Sequence, residues 1–124
     1  MIFGIGTDII EIERIEKLIA RGMPYLETIF TKKEMDYCET KARKSEHYAA
    51  RYAAKEAILK ALGTGWRDGL AFSDIEIING ELGKPQVYLQ GEAKKICGRH
   101  QIKQISISLS HIEKFALAFA ILEK

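Results

Sequence analysis

The chain has 124 residues, 47% of them hydrophobic and 29% charged, which is enough for one hydrophobic core and too little for two. These values exclude an intrinsically disordered chain. Nineteen basic residues against seventeen acidic ones leave a net charge of +2, which is too small to indicate a nucleic-acid-binding protein. We therefore expect a single domain over residues 1–124.

Targeting, membrane and cysteine signals are weak throughout the sequence. Met1 to Asp8 has no basic segment and reaches an acidic residue too early for a signal peptide. The longest apolar run, Phe115–Leu122, is far shorter than the roughly 20 residues that cross a bilayer. Cys38 and Cys97 lie far apart with no histidine cluster near either, so neither a disulfide framework nor a zinc site is indicated. We expect a cytoplasmic protein without a membrane or nucleic-acid partner.

The first half of the chain predicts one strand followed by helices. Ile2–Ile10 is rich in β-branched residues and predicts a buried strand that ends near Asp8. Four helices are then predicted. Their signals are apolar residues at helical spacing, a proline that presets a helical turn, a capping box and a glycine that ends the last helix. These helices are Glu11–Ala20, Pro24–Phe30, one that opens at Thr31–Glu34, and one from Ser45 or Glu46 through Leu62.

The second half changes to the spacing of two that is typical of strands. The predicted elements are a loop at Trp66–Leu70, strands at Ile75–Ile78 and Gln86–Leu89, a helix at Gly91–Arg99, and antiparallel strands at Ile105–Leu109 and Phe115–Leu122 joined through His111–Lys114. This order of elements predicts an α+β fold in which a small, mostly antiparallel sheet packs against helices.

The longest predicted helix carries the clearest chemical pattern. The stretch Lys41–Lys60 holds six basic residues and two acidic ones, which suits either an anionic ligand or a solvated helix face. At about 100° per residue, Glu56 and Lys60 share one narrow sector with Ala49 and Ala53. This carboxylate and ammonium are either an ordinary stabilising pair or part of a site that small neighbours leave open to a ligand.

A second carboxylate, Asp8, follows Gly4 and Gly6 at the end of the first predicted strand. A carboxylate at a strand exit can meet one on a packed helix. Magnesium takes one or two carboxylates and fills its remaining positions with water and substrate phosphates. Asp8 and Glu56 are therefore candidate magnesium ligands, and Lys60 is a candidate to neutralise charge on a transferring phosphate.

Five ordered segments of the sequence resemble the signatures of bacterial acyl-carrier-protein synthases, a family of 4'-phosphopantetheinyl transferases. The segments are Gly4–Asp8 with Arg14, Arg51–Ala57 leading to Lys60–Gly65, Asp74–Ile77, Gly83–Pro85 and Ser108–His111. The resemblance extends over almost the whole chain. It implies a phosphopantetheinyl-transferase-like fold and transfer of the phosphopantetheine arm of coenzyme A to a serine of apo acyl carrier protein, with 3',5'-ADP as the second product. It also implies a role in fatty acid biosynthesis.

The resemblance implies roles for the residues already singled out. Asp8 and Glu56 would hold a magnesium ion that also binds the pyrophosphate of coenzyme A. Lys60 would contact the transferred phosphate, for which a lysine serves as a point charge. The proton of the attacking serine would pass either to Glu56 or to a metal-bound water, and the sequence leaves both open.

The resemblance also distributes residues along coenzyme A. They are Arg51 and His111 at the nucleotide end and 3'-phosphate, Arg43 and Lys44 beside them, Gly63, Thr64 and Gly65 along the coenzyme, and Lys84 and Pro85 near the pantetheine arm. Helix capping and turn chemistry alone also explain the glycines and the proline. Arg51 lies about 140° around the helix from Glu56, so one chain would not bring both to the same ligand atoms. Family members are trimers with active sites between subunits, which would solve this problem.

A basic and partly apolar surface is expected to bind the acidic carrier protein. By resemblance its residues are Arg14, Leu18, Arg21, Met23 and Tyr25. Pro24 replaces the basic residue that some relatives carry at this edge. Leu18 alternatively belongs to the core of its own chain.

Two other functions fit parts of the pattern. Two carboxylates and a lysine also suit a metal-dependent phosphodiesterase, in which water replaces the serine. From a different class, a non-catalytic module would bind acidic proteins or RNA through the basic stretch Lys41–Lys60.

Overall fold

The computed structural model describes residues 1–65 and 69–124, with five helices and five strands in those ranges. In chain order the elements are β1 (Ile2–Glu11), α1 (Ile12–Ala20), α2 (Met23–Leu26), α3 (Lys32–Glu39), α4 (Lys44–Leu62), β2 (Ile75–Asn79), β3 (Pro85–Leu89), α5 (Gly91–Arg99), β4 (Gln104–His111) and β5 (Phe115–Glu123). A single 3₁₀ turn at Phe72–Asp74 leads into β2. The predicted loop at Trp66–Leu70 lies partly outside the described residues. Among the helices of the two described ranges, none is long and apolar enough to span a membrane.

The strands form two separate antiparallel sheets. β1, β5 and β4 make a three-stranded sheet with β5 in the middle, and β2 pairs with β3 as a hairpin. α4 packs across the inner face of the three-stranded sheet, against β1 and β5. The predicted α+β fold is confirmed, but the predicted single sheet is divided in two. The hairpin lies with β3 next to β4, and side chains from α3 and α4 bond the other edge, that of β2.

Several predicted boundaries differ from the observed ones, and His111, expected in the connection between the last two strands, is the last residue of β4. β1 continues three residues beyond Asp8, to Glu11, because its pairing with β5 runs to the end of the strand. The helix predicted over Pro24–Phe30 is only the single turn α2. It stops early because Thr28 donates to the Tyr25 carbonyl oxygen from both its backbone N–H and its hydroxyl, which competes with continuation of the helix.

The contact between α4 and β1 is closer than ordinary side chains allow. Gly4 and Gly6 lie against the helix, and a Cβ on either would overlap the carbonyl oxygen of Ala61 or Ala57. Buried alanines at alternate positions of β5 continue this flat inner surface, namely Ala116, Ala118 and Ala120. The helix backbone therefore rests directly on the sheet, which fixes where each α4 side chain lies relative to β1.

The opposite face of the three-stranded sheet is apolar and exposed. Because successive side chains of a strand point to opposite faces, the positions between the buried ones face outward. On β1 and β5 these outward positions hold large apolar residues that are each at least 39% exposed, namely Ile5, Ile9, Phe115, Leu117 and Phe119. A continuous patch of this kind is typical of a protein–protein interface.

The close packing of α4 on β1 can be tested with two glycine substitutions. Gly6→Ala should lower the free energy of unfolding by about 3 kcal/mol, or prevent folding, because the added methyl group meets helix backbone. Gly98→Ala on α5 is the matched control, since nothing lies within 4 Å of its added Cβ. That control should gain roughly 0.5–1 kcal/mol from helix propensity. Urea unfolding followed by circular dichroism measures both, and equal effects would contradict the close contact.

Candidate functional site

Asp8 on β1 forms an ion pair with Lys60 in the last turn of α4. The Lys60 Nζ lies 3.0 Å from Asp8 Oδ1 and also donates to the Thr7 carbonyl oxygen at 3.0 Å. Asp8 shares the inward face of β1 with Gly6. The close approach of the helix at Gly6 therefore lets the side chain of Lys60 reach this carboxylate. Two residues that the sequence singled out are joined although they lie 52 positions apart.

Glu56 lies one turn before Lys60 and is half-buried. Its carboxylate affects the nearby phenol of Tyr52. Burial is the largest cause that raises the pKa of Tyr52, and the Glu56 carboxylate is the second. Arg14 lowers this pKa, and Asp8 contributes a smaller increase. Both carboxylates therefore lie within electrostatic range of the same phenol. We call Asp8, Glu56 and Lys60 the carboxylate cluster.

The donor set of the carboxylate cluster fits magnesium. In the described ranges, no group of three or more histidine, cysteine, aspartate or glutamate side chains is arranged to hold a metal ion by itself. Asp8 and Glu56 supply only hard oxygen donors, and magnesium completes such a pair with water and substrate phosphates. Lys60 beside Asp8 would face the same phosphates.

A second group of predicted residues surrounds Arg51. A cavity of about 310 Å³ lies between α4, the β2–β3 hairpin and β4, and its lining includes His47, Arg51, Asn79, Pro85, Ser108 and His111. We call this the arginine cavity. Arg51 is only 2% exposed, its Nη2 donates to Asn79 Oδ1 at 3.0 Å, and its guanidinium lies 4.4 Å from the centre of the Tyr37 ring.

The guanidinium of Arg51 is not fully hydrogen-bonded by the protein. Its Nε is the one buried side-chain nitrogen or oxygen, among the described residues, that lacks a hydrogen-bond partner. Leaving a buried donor unpaired is costly, and hydrogen bonds from a guanidinium to an anion are strong. The arginine cavity therefore suits an anionic ligand.

The two histidines of the arginine cavity lie near each other and near an acidic residue. His111 Nε2 lies 3.0 Å from Glu46 Oε2, and the rings of His47 and His111 have centres 6.3 Å apart. Burial lowers the pKa of His47, and the positive charges of Arg51 and Lys41 lower it further. His47 is therefore neutral near pH 7 and offers one donor and one acceptor.

The remaining residues expected at the nucleotide end differ in position. Arg43 lies 3.3 Å from Glu46, which in turn contacts His111, but Arg43 itself lines a separate cavity together with Lys44. Lys44 turns toward Glu39, at 3.1 Å, and also lines a further cavity.

The glycines after α4 and the hairpin tip have structural reasons of their own. Gly63 ends α4 with φ 76° and Gly65 has φ 63°, so both backbone positions favour glycine. Thr64 between them donates its hydroxyl to the Gly65 carbonyl oxygen at 3.1 Å. Pro85 lines the arginine cavity, and Lys84 precedes it as an exposed residue of the hairpin tip.

The surface expected to bind the carrier protein lies on α1, α2 and their connection. The Arg21 guanidinium lies 3.8 Å from the centre of the Tyr25 ring, and Met23 is 54% exposed. Leu18 and Tyr25 are half-buried and pack against the core, as the alternative interpretation of Leu18 expected. Arg14 is exposed and influences Tyr52, so this surface borders the carboxylate cluster.

The structure therefore separates the predicted residues into two groups. No member of the carboxylate cluster is among the residues that line the arginine cavity. This agrees with the angle of about 140° between Arg51 and Glu56 on the helix.

Three residues at these groups were missed by the sequence analysis. Tyr52 lies one turn before Glu56, and His47 lies one turn before Arg51. Helical spacing from the assigned residues would have found both. Asn79 lies just beyond the predicted strand Ile75–Ile78, and its bond to Arg51 depends on how the hairpin packs on α4, which no local pattern reveals.

Comparison with known proteins defines the class of protein to which the chain belongs. Residues 4–120 match the model of the 4'-phosphopantetheinyl transferase superfamily. The chain belongs to this superfamily.

Individual relatives show which members of the superfamily the chain resembles. The chain is 46% identical to the holo-[acyl-carrier-protein] synthase of Geobacter sulfurreducens, over 100% of this chain and 99% of the relative. The crystal structure of the synthase from Neisseria meningitidis matches with a TM-score of 0.90 and 37% identity, covering 100% of both chains. The Helicobacter pylori synthase in complex with coenzyme A matches with a TM-score of 0.84 and 35% identity, covering 96% of this chain and 99% of that chain. The likeness to holo-[acyl-carrier-protein] synthases thus extends along the whole chain.

Proposed function

We propose that this chain transfers the 4'-phosphopantetheine group of coenzyme A to a serine of apo acyl carrier protein, giving holo carrier protein and 3',5'-ADP. The observation that carries this function is the Asp8–Lys60 ion pair beside Glu56, because two carboxylates and a lysine suit a phosphate-bound magnesium. Full-length similarity to holo-[acyl-carrier-protein] synthases supports coenzyme A as donor and the carrier protein as acceptor.

Transfer of a phosphoryl group depends mainly on positioning and on stabilisation of charge. Asp8 and Glu56 would hold magnesium, which supplies positive charge at the pyrophosphate when bound. Lys60 donates to the transferred phosphate while the serine oxygen forms its bond to phosphorus and the bond to the leaving 3',5'-ADP breaks. Glu56 is the residue of this chain best placed to take the serine proton.

The arginine cavity supports a site for the nucleotide end of coenzyme A. The Arg51 guanidinium and the exposed edge of His111, which both line the cavity, would donate to the 3'-phosphate. Neutral His47 would contact the nucleoside beside them. Arg43 would add positive charge near Glu46.

We infer that a complete site lies between two copies of the chain in a trimer. The carboxylate cluster and the arginine cavity are separate within one chain, yet coenzyme A carries the groups that each would bind. The apolar outer face of the three-stranded sheet offers the contact surface. A closed three-fold ring would repeat that contact and build three equivalent sites.

The carrier protein would dock on α1 and α2. Its acidic surface is complementary to Arg14 and Arg21, and the exposed Met23 would add apolar contact. Arg14 lies near Tyr52 and the carboxylate cluster, so a carrier bound there presents its serine close to Lys60.

Removing either carboxylate should abolish most of the transfer activity. Asp8→Asn and Glu56→Gln should each lower the rate by at least about 100-fold, because the metal loses one of two protein ligands. Mass spectrometry of apo carrier protein after incubation with magnesium and coenzyme A measures the transfer. Glu92→Gln on α5, which breaks only an ion pair with Arg99, is the matched control and should retain full activity. Release of 3',5'-ADP at the same rate without carrier protein would instead favour the phosphodiesterase.

Reversing the charge of Arg14 should weaken carrier binding. Arg14→Glu is expected to raise KM for the carrier protein about tenfold with little change in kcat, and to reduce the dependence of KM on salt. Steady-state assays at several ionic strengths measure both. Arg99→Glu removes an equal charge from α5 and should leave KM unchanged. The same KM for wild type and Arg14→Glu would exclude α1 as the docking surface.

A further inference from the structure

Glu34 on α3 and Lys55 on α4 form a buried ion pair that the proposed reaction does not use. Both side chains are 0% exposed, and the Lys55 Nζ lies 2.8 Å from Glu34 Oε1. Lys55 also donates to the carbonyl oxygens of Phe72 at 3.0 Å and Ile75 at 2.5 Å. These three acceptors match the three N–H donors of an ammonium. Lys55 is therefore fully hydrogen-bonded in its charged form.

The Glu34 carboxylate is also fully engaged. Its Oε1 accepts from the Thr31 backbone N–H at 2.9 Å as part of a capping box, and its Oε2 accepts from the Ile77 backbone N–H at 2.8 Å. The buried pair of Glu34 and Lys55 thus joins the first turn of α3, the middle of α4 and the strand β2.

The buried pair occupies the edge of β2 that faces away from β3. The Asp74 carbonyl oxygen accepts from the Gln90 N–H, so even-numbered residues of this segment bond across to β3. In an antiparallel pair the alternate residues, here Ile75 and Ile77, direct their backbone groups to the other edge. In the described residues no strand pairs with β2 there. Side chains take the place of a third strand, and without them buried backbone groups would lose their partners.

The hairpin held in this way supplies one wall of the arginine cavity. Asn79 at the end of β2 accepts from Arg51 Nη2 at 3.0 Å and donates to the Gly83 carbonyl oxygen at 3.3 Å. Pro85 at the start of β3 lines the cavity. Lys55 lies one turn beyond Arg51 on the same helix. Any shift of β2 relative to α4 would therefore change the position of Asn79 relative to Arg51.

The geometry points to Glu34 and Lys55 as positioning residues for nucleotide binding, which hold the β2–β3 hairpin against α4 so that Arg51, Asn79 and Pro85 form one cavity. The inference rests on the proposed function, in which this cavity binds the 3'-phosphate of coenzyme A. Neither residue contacts the ligand, and the effect passes through backbone groups of β2.

The test replaces both members of the pair together. Lys55→Met alone would leave a buried carboxylate without its ammonium. The double variant Glu34→Leu with Lys55→Met removes both charges at similar volume, a replacement that other buried ion pairs have tolerated. Isothermal titration calorimetry with coenzyme A and with 3'-dephospho-coenzyme A, both in magnesium, gives the preference for the 3'-phosphate. Wild type should prefer coenzyme A about tenfold or more, the value of one charge-assisted hydrogen bond. In the double variant the two ligands should bind within about threefold of each other. The KM for coenzyme A should rise, while kcat at saturating coenzyme A should be nearly unchanged.

The variant Arg51→Met tests the assignment of the cavity separately from the positioning role of Glu34 and Lys55. If Arg51→Met keeps the full preference for the 3'-phosphate, the nucleotide end binds elsewhere and both the assignment of the cavity and the positioning inference fail. If Arg51→Met loses the preference and the folded double variant keeps it, only the positioning inference is overturned. Should the double variant not fold, Glu34→Gln, which retains an amide oxygen for the Thr31 cap, is measured in its place. Its preference should then fall between those of wild type and Arg51→Met, and an unchanged value would overturn the inference.

Discussion

The position of α4 on β1 depends on two residues without side chains. Gly4 and Gly6 let carbonyl oxygens of the helix lie where a Cβ would otherwise stand. Steric contact of backbone with backbone is stiff, so the helix cannot slide or rotate on the sheet without overlap. The Asp8–Lys60 ion pair depends on this contact, because it joins the strand and the helix just beyond the glycines. The carboxylate cluster is therefore a consequence of packing as much as of charge.

The polar side chains of α4 leave the helix on different sides and reach different parts of the molecule. Arg51 points to the arginine cavity, Lys55 to the edge of β2, and Glu56 with Lys60 to β1 and the neighbourhood of Tyr52. A helix surrounded on most sides cannot show a simple apolar stripe. Its alanines leave room for neighbouring elements, while its charged residues at 51, 55 and 60 each meet a partner on a different element. One rigid helix thus relates the positions of both groups of site residues.

The sequence predicted the elements well where a local signal existed. The capping box at Thr31, the glycine stop at Gly63 and the two-residue spacing of β4 and β5 all correspond to observed features. The division into two sheets was missed, because no local pattern reveals which strands pair. The bonds from Glu34 and Lys55 to β2 likewise join residues 43 and 20 positions apart. For the same reason Lys55, although it lies inside a recognised motif, gave no sign of its buried role. Spacing on one helix can place residues on a face, but it does not reveal what packs against that face.

We propose that coenzyme A is bound by the carboxylate cluster of one subunit and the arginine cavity of another. The most direct measurement is complementation between Glu56→Gln and Arg51→Met, each of which should be nearly inactive alone. In a trimer formed at random from equal amounts of both, about one quarter of the sites would combine two intact halves. Co-expression should therefore restore transfer to about one quarter of the wild-type rate, whereas activity no greater than that of the separate variants would show that each subunit holds its own complete site.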